Sequence, residues 1–120
     1  MTDINRLLVE LILCLQSLDP YKIVLFGSHA RGTPTECSDV DIMVILDNHD
    51  VSKTYEERLK KRLFIRNLVL DINRQIPLDI LVYSKEELNI LKQYGNFFIE
   101  EIEKTGKIVY EKTVKNKKSK

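Results

Sequence analysis

Cysteine and histidine are scarce, with two of each in 120 residues. Cys14 falls in an apolar helical pattern and Cys37 in a polar loop. Neither forms a CxxC pair or a metal-ligand spacing, which excludes a disulfide scaffold and points to a reducing compartment with free thiols. His29 and His49 sit in loop-like stretches without the further ligands a zinc site needs. Neither accompanies Cys37 in the pattern of a thiol enzyme. No apolar run reaches membrane-spanning length, and the N-terminus starts polar without a secretory cleavage pattern, so the expected location is cytoplasmic. Repeats and interdomain linkers are also lacking. A chain of 120 residues has room for one core and not for a second substrate-binding domain. Net charge is small, at +1, but uneven. Residues 112–120 carry five lysines and no acid, leaving 14 basic against 18 acidic residues, about −4, on the rest. That acidic body argues against direct nucleic-acid binding. Residues 1–111 read as the domain and 112–120 as a disordered lysine-rich tail.

What is present is a clear alternation of helix and strand patterns. Ile4, Leu7, Leu8, Leu11, Ile12, Leu15 and Leu18 have helical spacing, with Thr2 or Asp3 as N-cap and Pro20 as the stop. Residues 22–26 form a short apolar run, ending at Gly27, that fits a buried strand. A very short helix, Ser28–Arg31, follows, and Gly32, Thr33 and Pro34 open a loop. Residues 39–46 form a second strand that starts polar and finishes apolar. Residues 52–75 predict the longest helix, with Thr54 and Glu57 as a capping box. Its stripe is Ile65, Val69, Ile72 and Ile76, flanked by Leu59, Leu63 and Leu70. Residues 78–83 are a third strand. Ser84 and Glu87 form a second capping box for a helix over 85–93. Gly95 separates it from a last helix over 96–104, with Phe97, Phe98 and Ile102 as its apolar face, and 107–110 read as a short edge strand. The order αβαβαβα gives an α/β (α+β) domain with a small sheet flanked by helices.

The polar residues that a core does not require cluster between the first two strands. Asp39 and Asp41 are two apart on a strand, so they project from one face with Cα atoms about 6.5–7 Å apart. Two bare carboxylates so close repel, and a divalent cation removes the conflict. Mg²⁺ takes carboxylate oxygens and keeps positions open for water and substrate phosphates. Two such ions can clamp both the attacking and the leaving oxygen of a phosphoryl transfer. Asp79 is the polar exception in an apolar strand, expensive there unless paired or metal-bound. If strand 78–83 neighbours strand 39–46, Asp79 falls beside the other two and can serve as general base. Gly27 lets a backbone approach a ligand closely, and Ser28 at the start of the short helix offers N–H and hydroxyl donors to phosphate. Arg31 could reach a phosphate or pin the loop. Taken singly, DxD reads as a solvated turn and GS after a strand is weaker still. Together they sit where one site would require them.

Gly27-Ser28, ten residues, then Asp39-x-Asp41 resembles the GS-x10-DxD form of the polymerase-beta-type nucleotidyltransferase superfamily. The surrounding GSHARG and SDVDIMV resemble its small stand-alone members, the minimal nucleotidyltransferase (MNT) proteins, and the resemblance runs over nearly the whole chain. It implies a mixed sheet of the nucleotidyltransferase fold and Mg²⁺-dependent transfer of a nucleotide from an NTP with release of pyrophosphate. By position, Gly27 and Ser28 would hold the triphosphate, Asp39 and Asp41 both ions, and Asp79 the ion at the acceptor. Nothing remains after about residue 110 to form an acceptor domain. MNT proteins are typically paired with a HEPN-type ribonuclease toxin. The resemblance therefore implies an antitoxin that transfers AMP from ATP to a tyrosine hydroxyl of that partner. The alternatives are an antitoxin acting by binding alone, through an exposed apolar patch on the last helices, or a transferase for a small-molecule or nucleic-acid acceptor.

Overall fold

In the computed structural model, residues 4–32 and 39–112 are described. Strand β1 (Pro20–Phe26) and strand β2 (Val40–Leu46) are the central pair of a four-stranded sheet. Strand β3 (Leu78–Ser84) lies outside β2 and strand β4 (Lys107–Glu111) outside β1, giving the order β3-β2-β1-β4. The β1/β2 and β1/β4 pairs are antiparallel and the β2/β3 pair is parallel, so the sheet is mixed. A parallel pair needs a crossover. Helices α3 (Tyr55–Leu68) and α4 (Leu70–Gln75) supply it.

Both faces of the sheet are covered, which explains the unbroken apolar run Ile42–Ile45 in the middle of β2. Alternate residues point to opposite faces. Ile23, Leu25, Val40, Ile42 and Val44 pack with Leu7, Leu11 and Leu15 of helix α1 (Ile4–Leu15) and with Ile65 and Ile72 of α3 and α4. Val24, Phe26, Met43 and Ile45 pack on the other face. There they meet Leu88 of helix α5 (Lys85–Gln93) and Ile99 and Ile102 of helix α6 (Phe97–Thr105). Helix α2 (Ser28–Arg31) is the short connector after β1.

Several boundaries differ from the sequence reading, for physical reasons. The first helix ends at Leu15, a 3-10 turn covers Gln16–Leu18, and Asp19 adopts a left-handed conformation (φ 51°). Pro20 then opens β1, at a sheet position that tolerates a missing donor. The expected long helix is interrupted at Val69, whose backbone leaves the helical region. Ile65 before the break, Val69 at it, and Ile72 and Ile76 after it are all buried. At the start of α3, the Thr54 side chain accepts from the Glu57 N–H, but Glu57 reaches back to the N–H of Lys53 rather than of Thr54. The apolar face of α6 is Ile99 and Ile102; Phe97 and Phe98, expected there, are 79% and 52% exposed. A 100° step per residue cannot bury 97, 98, 99 and 102 together, and the branched pair at i, i+3 is the one buried. The expected cap residues Thr2 and Asp3, the loop residue Cys37 and the stretch 113–120 lie outside the described residues. Lys112, counted with the tail in the sequence, is tied in: its Nζ lies 2.6 Å from Asp47 Oδ2 and 2.9 Å from Asp19 Oδ2. Asp47 also meets Lys85 at 2.7 Å, and these two lysines hold its carboxyl down to about 2. Among the described residues no helix is long and apolar enough to cross a membrane.

Ser84 fixes the end of β3 and the start of α5 together. Its N–H donates to Glu87 Oε1 (2.9 Å), its Oγ accepts from the Glu87 N–H (3.1 Å), and its hydroxyl donates to the Asp50 carbonyl. The second carboxylate oxygen of Glu87 accepts from the Ser52 N–H at 2.9 Å. Burial alone would raise the Glu87 pKa, but these N–H donors and Lys61 outweigh it and lower it. We predict that Ser84→Ala, which removes the cap of α5 and the hydroxyl donor to the Asp50 carbonyl, lowers stability by about 1–2 kcal/mol in urea unfolding without changing the far-ultraviolet spectrum.

Candidate active site

The sheet register brings the polar residues to one strand end. Phe26 lies opposite Asp41 across the β1/β2 pair, and Asp41 lies opposite Asp79 across the β2/β3 pair. The condition attached to Asp79 in the sequence is therefore met, and in register. Asp41, Met43 and Ile45 share the face covered by α5 and α6, so the acids stand on that face. Asp39 lies just before β2. Asp41 is half-buried, whereas Asp39 and Asp79 are exposed.

Gly27 bends the chain out of β1 at φ 77°, ψ −158°, a region essentially confined to glycine. A Cβ placed there would lie 2.1 Å from Asp41 Oδ2, far inside contact distance. The missing side chain is thus the space in which the Asp41 carboxylate sits. Directly after it, the N–H groups of Ala30 and Arg31 both donate to the Gly27 carbonyl, at 3.1 and 3.2 Å, closing the single turn of α2. The N–H groups of Ser28 and His29 take no part in that closure.

Electrostatics couples the same residues. The Asp41 pKa is raised, first by burial, then by the charges of Asp79 and Asp39; His29 and Arg31 oppose the rise. No hydrogen bond or ion pair neutralises Asp39, Asp41 or Asp79 among the described residues. Nor do three His, Cys, Asp or Glu side chains there converge to the spacing of a bound ion. Neighbouring carboxylates repel, and a bound divalent cation would relieve that repulsion at Asp41. The donor set consists of carboxylate oxygens alone, which fits Mg²⁺ rather than zinc. His29 and Arg31 are the site residues that sequence reasoning undervalued. Their position directly after Gly27-Ser28 was the available signal, since one helical turn keeps them near the strand end.

A strand-turn-helix carrying GS, followed by DxD on the neighbouring strand, also marks a known family. The description "nucleotidyltransferase domain" matches residues 8–87, two thirds of the chain. The chain belongs to this nucleotidyltransferase family. A protein of Methanocaldococcus jannaschii named "putative protein adenylyltransferase" is 32% identical over 94 residues, covering 78% of this chain. The chain spans 60% of that relative's length. A crystal structure of a "putative nucleotidyltransferase" from Sulfolobus solfataricus superposes with a TM-score of 0.53 at 18% identity. It covers 88% of this chain and 78% of the other, and the likeness is one of fold. The nucleotidyltransferase domain accordingly comprises the GS turn, all three acids and the crossover helices.

Gly27→Ala is predicted to cost about 1–3 kcal/mol from the backbone conformation alone. A crystal structure of the variant should show the Asp41 carboxylate displaced, and equilibrium unfolding should show the loss. An unmoved carboxylate with wild-type stability would contradict the packing described above.

Proposed function

We propose that the chain is a Mg²⁺-dependent protein adenylyltransferase, the antitoxin of a HEPN/MNT pair, which transfers AMP from ATP to a tyrosine hydroxyl of its HEPN ribonuclease partner. The observation that carries this reading is the register Phe26–Asp41–Asp79, which puts the glycine turn and the acids at one strand end. The relative named as a protein adenylyltransferase supports a protein acceptor.

In this reading Gly27 lets the triphosphate approach the backbone, and Ser28 donates to a phosphate oxygen from its N–H and hydroxyl. Asp39 and Asp41 would hold the Mg²⁺ ions, and Asp79 would share one of them. Bound Mg²⁺ would supply charge neutralisation at the α-phosphate and the leaving pyrophosphate. Asp79 takes the proton of the acceptor hydroxyl. The hydroxyl oxygen forms a bond to the α-phosphorus as the bond from that phosphorus to the bridging oxygen of pyrophosphate breaks. Pyrophosphate leaves with the bonding pair. Arg31 and His29, which already oppose the rise in the Asp41 pKa, add positive potential beside the incoming phosphates.

A second reading has its own observation. Tyr94, Phe97 and Phe98 are exposed large side chains at the α5–α6 corner, and Phe98 meets Phe26 edge-on at 5.8 Å between ring centres. Such a patch suits neutralisation of a partner by binding alone. One experiment separates the two. The chain is incubated with α-labelled ATP, Mg²⁺ and the HEPN protein encoded beside it. Label is expected on a partner tyrosine, and Asp39→Asn or Asp41→Asn should reduce labelling by more than about 100-fold, since substitutions one shell further from a metal already cost 10–100-fold. Unlabelled partner, or neutralisation that survives both substitutions, favours binding alone.

A further inference from the structure

The edge of the sheet beside Asp79 is open. In a parallel pair the N–H and C=O of one residue point the same way, alternating along the strand. The Pro77 carbonyl accepts from Val40 N–H at 3.0 Å, so residues 77, 79, 81 and 83 turn their main chain toward β2. Residues 78, 80, 82 and 84 turn theirs outward. The two ends of this outer row are plugged: Leu78 N–H donates to Asn73 Oδ1 (3.0 Å) and Ser84 N–H to Glu87 Oε1 (2.9 Å). Between the plugs, the N–H groups of Ile80 and Val82 donate to no described residue.

Two cavities, of 420 and 430 Å³, flank this row on the two faces of β3. Arg62, Asp79, Ile80 and Val82 line both. The opposite wall is α3, which contributes Arg58, Lys61, Arg62 and Arg66. Residues 58, 62 and 66 are four apart and share a helix face. The acids lining the cavities are Asp79 and Glu87, and Glu87 is shared with Lys61 at 3.8 Å. The groove is therefore basic on a domain body that is acidic overall. Unpaired strand donors, apolar floor and basic wall together describe a seat for an added strand rather than for a helix.

We propose that an extended, acid-bearing segment of the acceptor protein adds to the outer edge of β3. Its main chain pairs with Ile80 and Val82, its acids meet Arg58 and Arg62, and its hydroxyl-bearing residue is delivered to Asp79. The proposal rests on the transferase reading, because it assigns the acceptor subsite of that reaction.

The test uses Val82→Pro, which removes one outward N–H and leaves the β2 ladder untouched, a change that edge strands tolerate. Arg58→Glu/Arg62→Glu is the second variant, and circular dichroism and thermal unfolding check that each folds. With the HEPN partner as acceptor, each variant should raise the KM for the partner at least tenfold while changing kcat much less. Independently of ATP, adding the partner to the wild-type chain should slow hydrogen exchange at the Ile80 and Val82 amides. Partner labelling at wild-type KM by both variants, or slowed exchange at the Tyr94–Phe98 corner in place of β3, overturns the proposal. So does protection of the same amides by a single-stranded oligouridine that competes with the partner, which makes the groove a nucleic-acid site. Protection already present in the free chain, lost with a dimer in Val82→Pro, overturns it in favour of a second copy. If the wild-type chain labels nothing, the transferase reading fails, and the exchange measurement still decides the groove.

Discussion

Repulsion among three carboxylates is the constraint around which this domain is arranged. Asp41 stands on the second strand of a sheet, half-buried, between the turn at Gly27 and Asp79 on the next strand. Burial and the two neighbouring acids all disfavour its charged form. A residue selected only for folding would be apolar here, like Ile42, Met43 and Val44, which follow it and are fully buried. The domain instead tolerates an electrostatic cost at one strand end, a common mark of a functional site.

That cost is offset by packing and ties in the rest of the scaffold. The two central strands are covered on both faces, and the strand ends opposite the acids are tied down. Asp47, just after β2, is held by Lys85 and Lys112, joining the start of α5 to the residue after β4. Ser84, at the far end of β3, is closed by Glu87 and Asp50. These ties hold β3 in register against β2, and the register is what puts Asp79 opposite Asp41. By contrast the outer edge of β3 is secured only at its ends. The candidate site thus combines a fixed acidic side with an unpaired strand edge, the arrangement that the proposed transfer to another protein would use.

Much of this was legible in the sequence, and the failures are physically specific. Apolar runs and period-3.6 patterns marked the first three strands and most helices, because each buries one face or both. Asp79 stood out as an acid in an apolar strand, but only the β2/β3 pairing decided where it points. The break at Val69 had no glycine or proline to announce it. Phe97 and Phe98 misled because size and apolarity do not say which phase of a helix is inward, whereas the Ile99–Ile102 spacing does. The Lys112 clamp joins residues 65 and 93 positions apart, and the groove between α3 and β3 belongs to neither element alone. Contacts of that kind exist only once the chain has folded.

The proposed cation site rests on electrostatic strain at Asp41 from burial and from the neighbouring carboxylates. The most direct measurement is thermal unfolding of the wild-type chain and of Asp41→Asn, each in chelator and in saturating Mg²⁺. Because the folded state raises the Asp41 pKa, the charged carboxyl costs stability at neutral pH, and that cost diminishes as pH falls. The metal-free Asn variant should therefore be at least as stable as the metal-free wild type. Mg²⁺ should raise the unfolding temperature of the wild type through binding to the folded state and leave the variant unmoved. A Mg²⁺ effect equal in both proteins, absent in both, or joined to a clear loss of stability in the metal-free variant would contradict it.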